Sequence, residues 1–289
     1  MQRRTTKYPV PEMLKQLQAF DELIQQETGN NLDYYLGIQF QYDEAEREAD
    51  FAYPCDPVDS ILLASTGWDG RHYSFLTDFG AVKDLEQAPV IFVEPIAYEH
   101  HVSLIAANIT DFLRMFITTK SIVTLTPEDD SYQNDDISED SEYICRRLAE
   151  YFGLVPFEDL AAYRRDLLER REREAVLPTR NGIGVMQVSS DSAHASFDVD
   201  EDGDVELEEL KIKAFFSEAS IESKLSCIRD LQEVTDMWYE LAVFLMEELL
   251  GNGFVEEAHM MKIIAGTDPE QGDRFYHTTT MFFYGKAES

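Results

Sequence analysis

Long hydrophobic runs are missing from this sequence. No apolar stretch among its 289 residues approaches the ~20 needed to cross a bilayer as a helix, so no membrane span is expected. The opening residues Met1-Gln2-Arg3-Arg4 are basic, but they lead into Thr, Lys, Tyr and Pro without the apolar core of a signal peptide. A cytoplasmic location is the expectation. Cysteine is scarce as well. Cys55, Cys145 and Cys227 lie far apart and none forms a C-x-x-C pair, which argues against a disulfide framework or a zinc knuckle. They read as small buried thiols in a reducing compartment.

Catalytic signatures are also wanting. The six histidines show no H-x-x-x-H or H-E-x-x-H spacing, and there is no nucleophile elbow or phosphate-binding loop. His100 and His101 are adjacent, which is poor ligand geometry because neighbours on a strand point to opposite faces. Asp78-Phe79-Gly80 matches the magnesium tripeptide of protein kinases, yet it stands without a glycine-rich loop, a strand lysine or a catalytic His-Arg-Asp. Phe79 reads as core and Gly80 as a turn. Carboxylates are so abundant that no one pair points to acid–base catalysis. The expectation is a protein that is not an enzyme and holds no cofactor and no resident metal.

Positive charge is the last shortage. Lys and Arg total 24 against 57 Asp and Glu, a formal net charge of −33 with a pI near 4.3. Such a field repels nucleic acid and anionic membranes, and it accelerates encounter with basic partners. Direct DNA or RNA binding is not expected; solubility or adaptation to a saline host would account for the same acidity.

What is present suits a folded protein. Hydrophobic residues make up 44% and aromatics 12%, ample for a buried core. Leu14, Leu17, Phe20, Leu23 and Ile24 recur at helical spacing after Pro9 and Pro11, with a stop at Thr28-Gly29-Asn30. Strands are expected over 34–42, 61–64, 72–76, 90–93 and 103–106, and a helix follows with Asn108 or Thr110 as its cap. Residues 128–142 read as an acidic solvated linker. Beyond it, helices are expected over 143–152 and 157–175, the second with an exposed mixed-charge face around Arg164 to Glu172. Strand-like segments after Asn181-Gly182, a long helix over 221–250, a short one over 255–264 and a final strand over 275–284 complete the reading. The fold class is therefore α+β: a twisted, mostly antiparallel sheet flanked by helices in residues 1–127, then the linker, then a C-terminal α+β extension over 143–289. A single intertwined domain is the alternative.

Asp198 to Glu209 fits the twelve-residue EF-hand loop, with acids at positions 1, 3 and 5, glycine at 6 and glutamate at 12. An EF-hand needs helices on both sides, and the serine-rich stretch upstream is a poor helix former. Phe197 and Val199 before the turn, with Val205, Leu207, Leu210 and Ile212 after it, favour an acidic β-hairpin. A calcium-responsive regulator using Asp198, Asp200, Asp202 and Glu209 is the alternative.

The segment Ala64-Ser65-Thr66-Gly67-Trp68-Asp69-Gly70-Arg71-His72-Tyr73 reads as a hairpin, its glycines allowing a tight turn and Asp69 bonding the turn backbone. Trp68, Asp69, Arg71, His72, Tyr73 and Asp78 are candidate partner-binding residues, because Trp, Tyr and Arg dominate interface hot spots. From Ile61 through Gly67, then Asp69-Gly70, His72-Tyr73 and Thr77-Asp78, the pattern resembles the central hairpin of the SUKH superfamily. Pro89 to Val93, the Ala106-Ala107-Asn108 turn and Asp111-Phe112-Leu113 follow in that superfamily's order, so the resemblance covers roughly residues 30–120. Trp68 stands where a second glycine is more usual, and the early Leu-Pro and Tyr motif is not visible near Asp33 to Phe40. The resemblance implies an α+β fold, and a role like that of bacterial immunity proteins, which neutralise a toxin that is often a nuclease, or like that of interaction scaffolds. With the acidity, this makes a basic protein such as a toxin domain the expected partner, and the Trp68 turn and the acidic 198–209 hairpin are the candidate contact surfaces.

Overall fold

The computed structural model describes residues 7–42, 52–97, 100–120, 138–200, 205–234 and 239–265. Helix α1 (Glu12–Thr28) starts after Pro11, whose ring favours an extended entry, and buries Leu14, Leu17, Phe20 and Ile24 along one stripe. Gly29 ends it in the left-handed region, its N–H donating to the Gln25 carbonyl. The next segment departs from the strand expected over 34–42. Asn31 caps a short helix α2 (Leu32–Leu36) by accepting the Tyr34 N–H, and Gly37 stops it. Only Gln39–Phe40 remains as strand β1. A good cap, a left-handed stop and two leucines at i, i+4 outweigh the β-propensity of the tyrosines.

Strands β2 (Ser60–Ser65), β3 (His72–Leu76), β4 (Val90–Val93) and β5 (Val102–Ala106) join β1 in one sheet of order β1-β2-β3-β4-β5. Every neighbouring pair is antiparallel. Helix α3 (Ile109–Thr119) follows, with Asn108 accepting the Asp111 N–H at its start. One face of the sheet is sealed by an aromatic column: the Tyr73 ring lies 5.0 Å from Phe92 and 4.8 Å from Phe112, which lies 5.0 Å from Phe116. These tilted and edge contacts add to the area they bury.

Helix α4 (Glu139–Phe152) is capped by Ser138, so residues 139–142, expected as linker, begin a helix; residues 128–137 lie outside the described residues. Its Ile144, Cys145 and Leu148 enter the same core as α1 and α3. Helix α5 (Leu160–Glu174) is capped by Asp159. In place of strands after Asn181 there is one isolated bridge, Leu177 to Val185.

The expected hairpin around 201–204 is corrected. Val205 begins helix α6 (Val205–Glu218), while residues 201–204 themselves lie outside the described residues. Glu208, Ile212 and Phe216 are buried and recur every four residues, while Lys211 pairs with Glu208 and Lys213 with Glu209. Helical spacing with i, i+3 and i, i+4 charge pairs matches this stretch better than strand alternation. Helices α7 (Ile221–Val234) and α8 (Tyr239–Gly251) lie within the stretch expected as one long helix over 221–250, and α9 (Val255–Ile264) is the short helix expected over 255–264; residues 235–238 and the strand expected over 275–284 lie outside the described residues. The architecture is α+β as the sequence indicates, with helices and one bridge as the described regular structure of the C-terminal half. Both main cores draw residues from either side of the 128–142 stretch: Ile144 and Leu148 join the first, while Val58 and Phe79 join Ile228 and Leu231 in the second. No helix of the described residues is long and apolar enough to cross a membrane.

Candidate functional site

The β2–β3 connection is built by short polar bonds and left-handed residues. The Arg71 N–H donates to the Trp68 carbonyl (2.9 Å), and Thr66 N–H and Oγ1 both donate to the Arg71 carbonyl, at 3.0 and 2.9 Å. Gly67, Asp69 and Gly70 all have positive φ, a region open to glycine and tolerated by Asp. Gly70 is required for a second reason, since a Cβ there would collide with the Tyr53 ring. The turn pushes Trp68 outward, leaving it 75% exposed. A tryptophan so exposed on a braced turn forgoes the burial that its large apolar area would normally seek.

A second loop reaches the same end of the sheet, because the start of β3 pairs with the end of β4 (His72 opposite Val93). Arg71 forms an ion pair with Glu94 of that loop, and Ile96, two residues on, is exposed. Trp68, Arg71 and Ile96 thus share one end of the sheet. Below the tip, His72 is buried. Its Nδ1 lies 2.8 Å from the Gly70 carbonyl and its Nε2 3.3 Å from Asp56 Oδ1. Tyr53 stacks over the imidazole at a centroid distance of 6.3 Å, and Asp56 Oδ2 accepts the Tyr53 N–H at 2.9 Å.

The remaining candidates lie inside. Tyr73 belongs to the aromatic column and is 1% exposed. Asp78 enters a buried ion cluster. Its carboxylate accepts from Arg171 Nη1 (2.8 Å) and Nη2 (2.5 Å), and from Arg229 Nη2 (3.4 Å). Arg229 Nη2 also donates to Asp59 Oδ2 at 2.5 Å, and Arg229 Nη1 to the Gly184 carbonyl. Asp78, Phe79 and Gly80 are successive left-handed residues, which costs about 1–2 kcal/mol for each non-glycine. The turn lets the Phe79 N–H reach Asp59 Oδ2 (3.1 Å) while its ring lies under the Arg229 guanidinium, 4.8 Å away. Burial alone would raise the Asp78 pKa, but the two guanidinium groups outweigh it and hold the carboxyl below the ordinary range. Burial, with Asp78 nearby, pushes Asp59 upward against Arg229.

The sequence candidates therefore divide. Trp68, Asp69 and Arg71 form the tip, His72 supports it, and Tyr73 and Asp78 belong to the interior. Arg171 and Arg229 are not among the sequence candidates. Arg171 sits in the mixed-charge run that reads as an exposed face. Arg229 was legible: on α7 it falls in the stripe Leu225, Ile228, Arg229, Gln232, so helical spacing alone sets it among apolar neighbours. The same helix supports the tip. Gln232 accepts the Val58 N–H and donates to the carbonyls of Pro54 and Asp56, while Glu233 accepts the His101 N–H at 2.7 Å.

At the EF-hand-like stretch, Asp198 lies 3.4 Å from Arg180, Glu208 accepts the Asp200 N–H, and Glu209 pairs with Lys213. No helix precedes it: residues 186–200 have no regular structure. Among the described residues no group of three or more His, Cys, Asp or Glu is placed to hold a metal ion; Glu201, Asp202 and Asp204 lie outside them. No family model and no curated protein matches the chain.

Proposed function

We propose that this protein is a non-catalytic binding module that captures a basic protein partner at the sheet end carrying Trp68. The observation behind the reading is the exposure of Trp68 on a turn braced by Thr66, Gly70 and Tyr53. Interfaces concentrate their energy in a few aromatic and arginine anchors on rigid supports. Trp68, Arg71 and Ile96 supply such a set. The net charge of −33 supplies long-range attraction for a basic surface and repels nucleic acid. A toxin domain with a basic nucleic-acid groove fits both features, and the resemblance of residues 30–120 to the SUKH superfamily supports the same class of partner.

The test is a parallel capture from lysate of the source organism at low salt, with wild-type protein and Trp68→Ala as baits, eluted by a salt gradient. The reading expects one basic protein that elutes with salt and is lost from the Trp68→Ala bait. Equal retention on both baits, or no specific protein on either, overturns it.

A further inference from the structure

We propose that the Trp68 turn is held by a proton-dependent clamp in which His72, as an imidazolium, ties Gly70 to Asp56. The inference rests on the binding reading for its functional meaning, though the clamp itself is a property of the protein alone. Both ring nitrogens of His72 face acceptors. Nδ1 lies 2.8 Å from the Gly70 carbonyl, which has no proton to give, so Nδ1 carries a hydrogen. Nε2 lies 3.3 Å from Asp56 Oδ1. A neutral imidazole would set its lone pair against that carboxylate, and the ring is only 8% exposed, so water cannot screen the repulsion. An imidazolium donates to the Gly70 carbonyl through Nδ1 and faces the Asp56 carboxylate as its ion-pair partner at 3.3 Å.

The surroundings reinforce this state. Tyr53 stacks on the ring and its own backbone N–H donates to Asp56 Oδ2, which holds the carboxylate beside the histidine. Cys55 between them has its thiol pKa raised by burial and contributes no charge near neutrality. Arg71 is neutralised by Glu94, and Glu233 on α7 is engaged by the His101 N–H. Burial alone would lower the His72 pKa; Asp56 and the Gly70 carbonyl outweigh it and raise the pKa above the ordinary 6.5. The sign follows. The clamp is closed below the ordinary histidine range and opens as pH rises through the folded value. Opening releases the ring from Asp56, so the imidazole that still donates to the Gly70 carbonyl loses its anchor beneath the Trp68 turn. Binding at the tip then weakens with rising pH, opposite to the strengthening expected from an acidic surface that gains negative charge.

The experiment follows the imidazole nitrogens of His72 by NMR across pH 5 to 9 on the intact protein, together with backbone relaxation of Gly67, Asp69 and Gly70. The expected result is one titration with a midpoint above 6.5, a lower midpoint by about one pH unit or more in Asp56→Asn, and faster tip motion on the high-pH side. A wild-type midpoint at or below 6.5, or tip relaxation unchanged across the midpoint, overturns the clamp. The wild-type titration carries the test even if Asp56→Asn does not fold. Failure here leaves partner capture by Trp68 untouched, and failure of the capture leaves the titration to stand or fall alone.

Discussion

Arg229 Nη2 and Asp59 Oδ2 lie 2.5 Å apart across 170 residues of sequence, and their side chains are 1% and 0% exposed. With Asp78 and Arg171 they make a charge-balanced cluster of two carboxylates and two guanidiniums in the interior. It joins the end of the sheet where β2 starts and β3 ends to α5 and α7.

Removing one member leaves its partners charged and without compensation. Arg229→Met is expected to destabilise the fold by about 3–5 kcal/mol, because a buried charge that loses its partner keeps its desolvation cost. Urea denaturation checks this. Adding Asp59→Asn should return part of the loss, since it deletes the stranded charge; a double variant no more stable than the single would contradict the pairing.

Gly70 and Gly67 should respond differently to alanine. Both have positive φ, so each substitution costs about 1 kcal/mol through the backbone. Only at Gly70 would the new Cβ strike the Tyr53 ring; at Gly67 nothing lies within reach. Gly70→Ala is expected to lower Tm clearly more than Gly67→Ala. Equal shifts would remove Tyr53 as the brace of the turn.

Trp68→Ala should separate binding from stability. The side chain buries little, so unfolding free energy is expected to change by less than about 0.5 kcal/mol. Partner affinity should fall at least tenfold, about 1.4 kcal/mol. Loss of both together would mark Trp68 as a structural residue.

Asp230 supplies a pH signature. Burial is the main cause that raises its pKa to about 6, against the help of the Arg180 N–H it accepts at 2.7 Å. The folded chain therefore keeps this proton at pH 5, where an unfolded aspartate has lost it. Its contribution to stability is greatest below the unfolded value near 4 and is lost as pH rises through 6. Tm should thus increase from pH 7 to pH 5, and Asp230→Asn should flatten that slope by removing this titration. An unchanged slope in the variant would assign the effect to other groups with raised pKa values, such as His72 and Glu233, and not to Asp230.

Local chemistry decided much of this protein from sequence alone. The stripe of α1, the Asn108 cap, the β2, β3 and β4 strands and the Gly-rich turn at Trp68 follow from periodicity, capping and φ preferences, which act over a few residues. Those same rules mistook residues 34–42 and 205–212, where a short cap-and-stop pair or i, i+4 pairing competes with β-propensity on nearly equal terms. Helical spacing could have shown Arg229 among apolar residues, but not that Asp59 and Asp78 would meet it. Nor could it show that Arg171 turns inward from a charged helix, or that Asp56 lies beneath His72. Each of these depends on chain segments brought together from far apart, and a charge can be buried only where its partner is already in place.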